Sequence, residues 1–213
     1  MEWILFLHWI LRAPLRVAAN RMGIIMSDAR SRLLELFKSR AVSFGKFKLA
    51  SGRESTYYIN SKKVLFHSEA VWLLGELLWQ ATNDLHIQAI GGLEVGAIPM
   101  ATAAVLRYHE QGRVLEGFFV RKQAKEHGSK SRVEGEVKAG DNVVVIDDVL
   151  TTGESVAQAI AEVEQIGAKV LRVVCIVDRL EGARERLAKY DFRPLFTIRD
   201  LGIETPSNGE PEA

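Results

Sequence analysis

Residues 143–155 leave the chain few choices. Val143, Val144, Val145 and Ile146 form an unbroken apolar run, and Asp147 and Asp148 follow it. Val149, Leu150, Thr151, Thr152 and Gly153 then lead into helical apolar spacing over 153–166, which stops at Gly167. A short apolar run entering a helix through a tight turn is the pattern of a strand buried on both faces. Similar short runs stand at 87–90, 118–120, 170–177 and 194–198, with helical patterns at 96–108 and 184–189 between them. Strands alternating with helices predict an α/β fold, a doubly wound and mostly parallel sheet flanked by helices. Ligands in such sheets bind beyond the carboxyl ends of the strands, so the loops after Ile90, Val120, Ile146 and Val177 are the places to look.

The part before this core reads differently. A first helix is expected over 29–39, capped by Ser27 and Asp28. Two strands at 47–49 and 56–60, linked by 51–55, and a helix over 68–82 complete a smaller N-terminal unit, a hood or flap over one end of the sheet. The expected organisation is a single domain over 27–203, with the hood at about 27–66 and the core at about 67–203. Residues 1–26 are read as an extension, disordered or upstream of a working start at Met22 or Met26, and 204–213 as a flexible tail. The apolar stretch at 3–11 is far short of the ~20 residues that a membrane-spanning helix needs.

The turn at 151–155 has a direct chemical reading. Its backbone N–H groups and the positive end of the following helix suit a phosphate, Thr151, Thr152 and Ser155 add hydroxyl donors, and Gly153 permits close approach. The two acids do not suit a phosphate. They suit vicinal hydroxyls or a magnesium ion. Acids beside a phosphate cradle predict a sugar phosphate as ligand. No Gly-Lys-Ser/Thr follows at the spacing of a nucleotide-binding P-loop. The segment closely resembles the phosphoribosyl pyrophosphate (PRPP) motif of type I phosphoribosyltransferases. The resemblance implies that Asp147 and Asp148 bind the ribose hydroxyls and that Val149, Leu150, Thr151, Thr152, Gly153, Glu154 and Ser155 form the 5′-phosphate loop.

A second signal follows the strand at 118–120. Residues 121–132 hold five Lys or Arg and one acid in a chain whose formal net charge is only +1. Their composition suits a mobile loop. Arg121, Lys122 and Lys125 could stabilise a departing pyrophosphate, and His127 could donate a hydrogen bond or proton to it. Lys130 and Arg132 read as solvated loop charges. Arg-Lys-x-x-Lys-x-His-Gly over 121–128 resembles the catalytic loop of orotate phosphoribosyltransferases. That likeness implies Lys125, Arg121 and His127 as catalytic residues. It also implies a homodimer in which the loop closes over the neighbouring subunit's site.

Residues 47–60 resemble the same family's N-terminal signature. There a Ser-Gly turn, here Ser51-Gly52, and an aromatic pair, here Tyr57 and Tyr58, help form the orotate pocket. Adjacent tyrosines on a strand point to opposite faces, so only one can stack on a base. Arg179 follows the strand at 170–177 and matches the family's orotate-contacting arginine; a fixed guanidinium can grip a carboxylate by two bonds. The alternative for Arg179 is an ion pair with Asp178 or Glu181. Thr151 is the matching hydroxyl. Two positions depart from many members: Ala50 stands where they have lysine, with Lys48 on the same strand face, and Gly91-Gly92-Leu93-Glu94-Val95-Gly96 lacks their Tyr-Lys. The glycines still suit backbone binding of pyrophosphate.

The expected activity is therefore transfer of the phosphoribosyl group of PRPP to orotate, giving orotidine 5′-monophosphate and pyrophosphate in pyrimidine biosynthesis. Mg²⁺ is expected as cofactor, held mainly by substrate, with Asp147 and Asp148 as possible partners and no direct ligand assigned. The alternatives are a phosphoribosyltransferase for another base, or a non-catalytic regulator that senses PRPP. With 28 basic and 27 acidic residues the chain has no global field for nucleic acid or anionic membrane, and neither is expected as a partner. The lone Cys175, in an apolar run, supports no disulfide and fits the cytoplasm.

Overall fold

Val143 and Val145 face one layer of core and Val144 and Ile146 the other, as the two-residue period of a strand requires. All four are fully buried. The computed structural model describes residues 26–48, 54–123 and 131–204. Helix α1 (Met26–Leu36) runs through a π-helical turn (Phe37–Ala41) into an antiparallel hairpin, β1 (Val42–Lys48) and β2 (Glu54–Ile59). A one-turn α2 (Lys62–Leu65) and a long α3 (Ser68–Thr82) follow. The core continues as β3 (Ala89–Leu93), α4 (Ala97–Glu110), β4 (Glu116–Val120), β5 (Val133–Gly135) and β6 (Asn142–Leu150). It ends with α5 (Glu154–Ile166), β7 (Lys169–Asp178), α6 (Ala183–Arg186), β8 (Asp191–Thr197) and a 3₁₀ turn (Ile198–Leu201).

The six strands after the hairpin form one sheet in the order β5-β4-β3-β6-β7-β8. Every described pairing in it is parallel except β4 with β5. Helices α1, α3 and α4 cover one face. Their buried Leu33, Leu73, Leu74, Leu77, Met100 and Ala104 share a core with Val144, Ile146, Val174 and Ile176. In α3 the buried positions 70, 73, 74, 77 and 78 make the stripe of an amphipathic helix. Burying each such leucine contributes about 1.5–3 kcal/mol. Helix α5 covers the other face through Val156, Ala159, Ile160 and Val163, against Val143, Val145, Val173 and Cys175. Both faces are covered, so the sheet is doubly wound. From β3 the chain steps outward to β4 and then returns to β6 on the other side of β3. That reversal opens a crevice beyond the carboxyl ends of β3 and β6.

Several elements differ from what the sequence suggests. Strand β6 runs through both acids to Leu150, because β7 pairs with it as far as Asp178. Gly91 and Gly92, expected to bind pyrophosphate through a loop, lie inside β3. A side-chain carbon there would collide with the Phe118 and Ile146 carbonyls, so these glycines serve close strand packing. Strand β5 is a three-residue edge with polar Glu134 at its centre, too short to carry a pattern. The helix expected at 184–189 is the single turn α6, and four residues cannot sustain more. At the far end of the sheet from the crevice, the Arg172 side chain is 2% exposed. It donates to both carboxylate oxygens of Asp84 (2.6 and 2.9 Å), to Asp191 (2.7 Å) and to the Ala81 carbonyl (2.5 Å).

Candidate functional site

Asp147 and Asp148 stand in β6 where it reaches the crevice. Asp147 is 6% exposed; its Oδ2 accepts from the Ser155 hydroxyl (2.6 Å) and its Oδ1 from the Asp148 N–H (2.9 Å). Burial, with the Asp148 charge beside it, pushes the Asp147 carboxyl up to about 7. Asp148 turns the other way. It accepts a hydrogen bond from the Ser61 hydroxyl and lies 3.5 Å from the Lys62 ammonium. Gly96, which precedes α4, packs against the same carboxylate: a Cβ there would sit 2.5 Å from the Asp148 Cγ. Asp148 is thus pressed between the loop after β3 and the start of α2. Nothing in the sequence pointed to Ser61 and Lys62, whereas Gly96 stood among the glycines expected to serve pyrophosphate and is instead found packed on Asp148.

The turn after the acids is set by backbone geometry. Gly153 adopts a left-handed φ of 75° and caps α5 without any side-chain cap. The first N–H groups of α5 therefore have no partner within the helix and face the crevice end. Thr151 and Thr152 are half-buried and Glu154 is exposed. The Thr152 carbonyl accepts from the Arg186 Nε (2.7 Å), which ties the turn to α6. Val149 packs against the core, and Leu150 is buried. The Leu150 carbonyl accepts the Arg179 N–H (2.9 Å).

That bond places Arg179 beside the turn at 151–155. Asp178 is fully buried, accepts from Arg184 (3.1 Å) and takes the Leu180 N–H on its Oδ1 (2.8 Å), which closes a tight turn around Arg179. The Arg179 Nε and Nη2 donate to the Tyr57 hydroxyl (3.1 and 2.8 Å), with the guanidinium carbon 4.9 Å from the Tyr57 ring centre. Nη2 also pairs with Glu181 (2.8 Å), so the ion-pair alternative for Arg179 is present. Tyr57 thus faces the arginine, while Tyr58 stands 46% exposed with its ring 5.6 Å from Phe47.

Arg121 and Lys122 follow β4 at the same end of the sheet. Lys125, His127, Ala50 and the Ser51-Gly52 turn lie outside the described residues. Arg132 is not the solvated charge expected of it: its guanidinium donates to the Arg121 carbonyl (2.8 Å), the Lys122 carbonyl (3.0 Å) and Glu162 (2.8 Å). Nothing in the sequence marks this, because two of its three partners are backbone oxygens. Among the described residues no group of three or more His, Cys, Asp or Glu could hold a metal ion. Two adjacent carboxylates suit a divalent cation that arrives on a substrate's phosphates and whose charge would offset the burial that holds the Asp147 carboxyl high.

The geometry gathers a glycine turn at a helix N-terminus, an acid pair with Asp147 buried, and a tethered arginine in one crevice. The family model described as the phosphoribosyl transferase domain matches residues 61–199. The chain is 41% identical over 181 residues to the orotate phosphoribosyltransferase of Corynebacterium glutamicum, covering 84% of this chain and 97% of that one. The structure is similar to that of the Mycobacterium tuberculosis orotate phosphoribosyltransferase bound to Fe(III) dicitrate. The TM-score is 0.73 at 37% identity, covering 82% of this chain and 99% of the other. The complex of the M. tuberculosis enzyme with 5-phospho-α-D-ribosyl 1-diphosphate superposes with a TM-score of 0.70 at 33% identity, over the same shares. A family model over more than half of the chain, and relatives of this identity over most of it, show that the chain belongs to the orotate phosphoribosyltransferase family.

Proposed function

We propose that the protein transfers the phosphoribosyl group of PRPP to orotate, releasing pyrophosphate. The observation that carries this reading is the tether between the turn at 151–155 and the arginine: the carbonyl of Leu150, the last residue of β6, accepts the N–H of Arg179, which directly follows β7. It sets a carboxylate-binding group beside a sugar-phosphate site. Asp147 and Asp148 hold the ribose hydroxyls, and the amides and hydroxyls of 151–155 cradle the 5′-phosphate. Arg179 takes the orotate carboxylate, with Tyr57 supporting the guanidinium. Thr151 lies at the meeting point of the two substrates, and Tyr58 offers an exposed ring to the base. The bond from the anomeric carbon to pyrophosphate breaks as the bond to the base nitrogen forms, through an oxocarbenium-like transition state. Arg121, Lys122, Lys125 and His127 bear on the charge that gathers on pyrophosphate. Mg²⁺, when bound to the phosphates, draws off part of the same charge.

The finished enzyme is a homodimer in which the basic segment serves the partner's site. Val95, Ile98 and Leu106 support this: they stand exposed along one side of α4 and its approach, at helical spacing. The cytoplasm is its place of action, where the buried Cys175 stays reduced. No helix among the described residues is long and apolar enough to cross a membrane. Residues 1–26 and 204–213 lie outside the catalytic domain in this reading.

The test is orotate consumption by purified protein with PRPP and Mg²⁺, beside adenine, hypoxanthine and uracil. Turnover confined to orotate is expected. Turnover of another base instead would reassign the substrate. PRPP binding without turnover of any base would replace the enzyme with a sensor.

A further inference from the structure

The two ends of the basic segment meet at a compact set of hydrogen bonds. The Arg121 N–H donates to the Arg132 carbonyl (2.8 Å), and the Arg132 Nε returns a bond to the Arg121 carbonyl (2.8 Å). The Arg132 Nη2 reaches the next carbonyl, Lys122 (3.0 Å), while Nη1 is anchored on Glu162 of α5 (2.8 Å). From the other side, the Glu94 Oε1 accepts the Lys122 N–H (2.8 Å), and the Glu94 N–H donates to the Val120 carbonyl (2.8 Å). Every backbone polar group from the Arg121 N–H to the Lys122 carbonyl is therefore occupied. Their side chains are treated differently. The Arg121 guanidinium lies 3.6 Å from Glu134, and the Arg121 Nε is buried without a hydrogen-bond partner among the described residues. Such a partnerless donor is costly to bury and is relieved when an anion arrives.

We propose that Glu94 and Arg132 are positioning residues: they clamp the backbone of Arg121 and Lys122 so that both cations enter the site from one set point. The proposal rests on the transfer reaction proposed above. A guanidinium can span two successive carbonyls and a carboxylate at once, because its five donors lie in one rigid plane. Lysine has three donors on one nitrogen and cannot. The carboxylate at position 94 does its work by accepting one backbone N–H. Glutamine at that position keeps an acceptor and alanine does not. Glu94 belongs to the loop after β3 and Glu162 to the body of α5, so the clamp ties the basic segment to both. Pyrophosphate leaving between the β3 loop and the basic segment would meet cations whose root cannot drift. Small errors in the position of such groups cost large factors in rate.

The experiment compares wild type with Arg132→Lys, Glu94→Ala and Glu94→Gln. The readouts are kcat, KM for PRPP, KM for orotate, melting temperature, and calorimetric binding of inorganic pyrophosphate with Mg²⁺. Arg132→Lys and Glu94→Ala are expected to lower kcat/KM for PRPP by about tenfold and weaken pyrophosphate binding in step, with KM for orotate unchanged. Glu94→Gln is expected to recover most of what Glu94→Ala loses. The proposal is overturned if both KM values shift equally, if the loss follows melting temperature, or if the variants match wild type. Wild type that turns over no orotate defeats the proposed reaction alone. The clamp then stands or falls on pyrophosphate binding: a tenfold loss in Arg132→Lys keeps it, while unchanged binding, or none in wild type, rejects it.

Discussion

Asp147 sets a price on its own ionisation. Its carboxyl rises from 3.8 to about 7 because it is buried and Asp148 adjoins it. A carboxyl raised on folding takes up protons as the chain folds. Its stabilising contribution is complete below the unfolded value and is lost as pH rises through about 7. Asp147→Asn removes the ionisable group. The ligand-free variant should therefore melt above wild type at pH 8, by about 2–4 °C for each kcal/mol relieved, and the gap should close toward pH 5. Melting curves at both pH values, with a gap that stays constant, would contradict the burial argument. The same variant should bind PRPP poorly. Arg179 gives a second prediction. Arg179→Ala should raise KM for orotate by about tenfold or more and leave KM for PRPP nearly unchanged. Tyr57→Phe removes only a neutral hydroxyl from the guanidinium and should cost about threefold on orotate alone. Equal effects of Arg179→Ala on both substrates would reject it as the carboxylate anchor.

At the scale of elements, the close approach of Gly96 to Asp148 makes a sharp case. Ser61 and Lys62 hold the carboxylate from the far side, so a methyl group at position 96 can only displace it. Gly96→Ala should weaken PRPP binding about tenfold, read by titrating PRPP against the folded variant, while orotate KM holds. Unchanged PRPP binding would mean that the carboxylate has room to move. The strand, acids, turn and helix over 142–166 were legible in the sequence because each announces itself locally: an apolar run, a glycine that must take a positive φ, an amphipathic repeat. The alternation of Tyr57 and Tyr58 was legible for the same reason. Ser61 and Lys62 were not, since they reach Asp148 across 87 residues of chain in the case of Ser61, and no local pattern encodes that distance. Arg132 was misread because a charge in a polar loop looks the same whether it faces water or backbone carbonyls.

For the whole molecule, the proposed sharing of sites between subunits can be tested by mixing two variants. Lys125→Ala and Asp148→Asn should each be nearly inactive alone. After subunit exchange, a mixed dimer in which each loop serves its partner has one site with both groups intact, and activity should return. No recovery despite verified mixed dimers would mean that each loop serves its own subunit. Leu106→Glu, on the exposed side of α4, should shift the protein toward monomer in sedimentation and lower turnover with it. The opposite end of the sheet has a different character. Arg172 there answers to Asp84, Asp191 and a helix-end carbonyl, with almost no access to water. Replacing either acid leaves the buried guanidinium short of a partner, whereas replacing all of them together with apolar groups of similar volume can be neutral or better. The path between those two sequences crosses unstable intermediates. Lineages descending from a chain like this one should keep Arg172 and its acids as a block or lose them as a block, and a library of single substitutions would undercount the sequences that this end of the fold can accept.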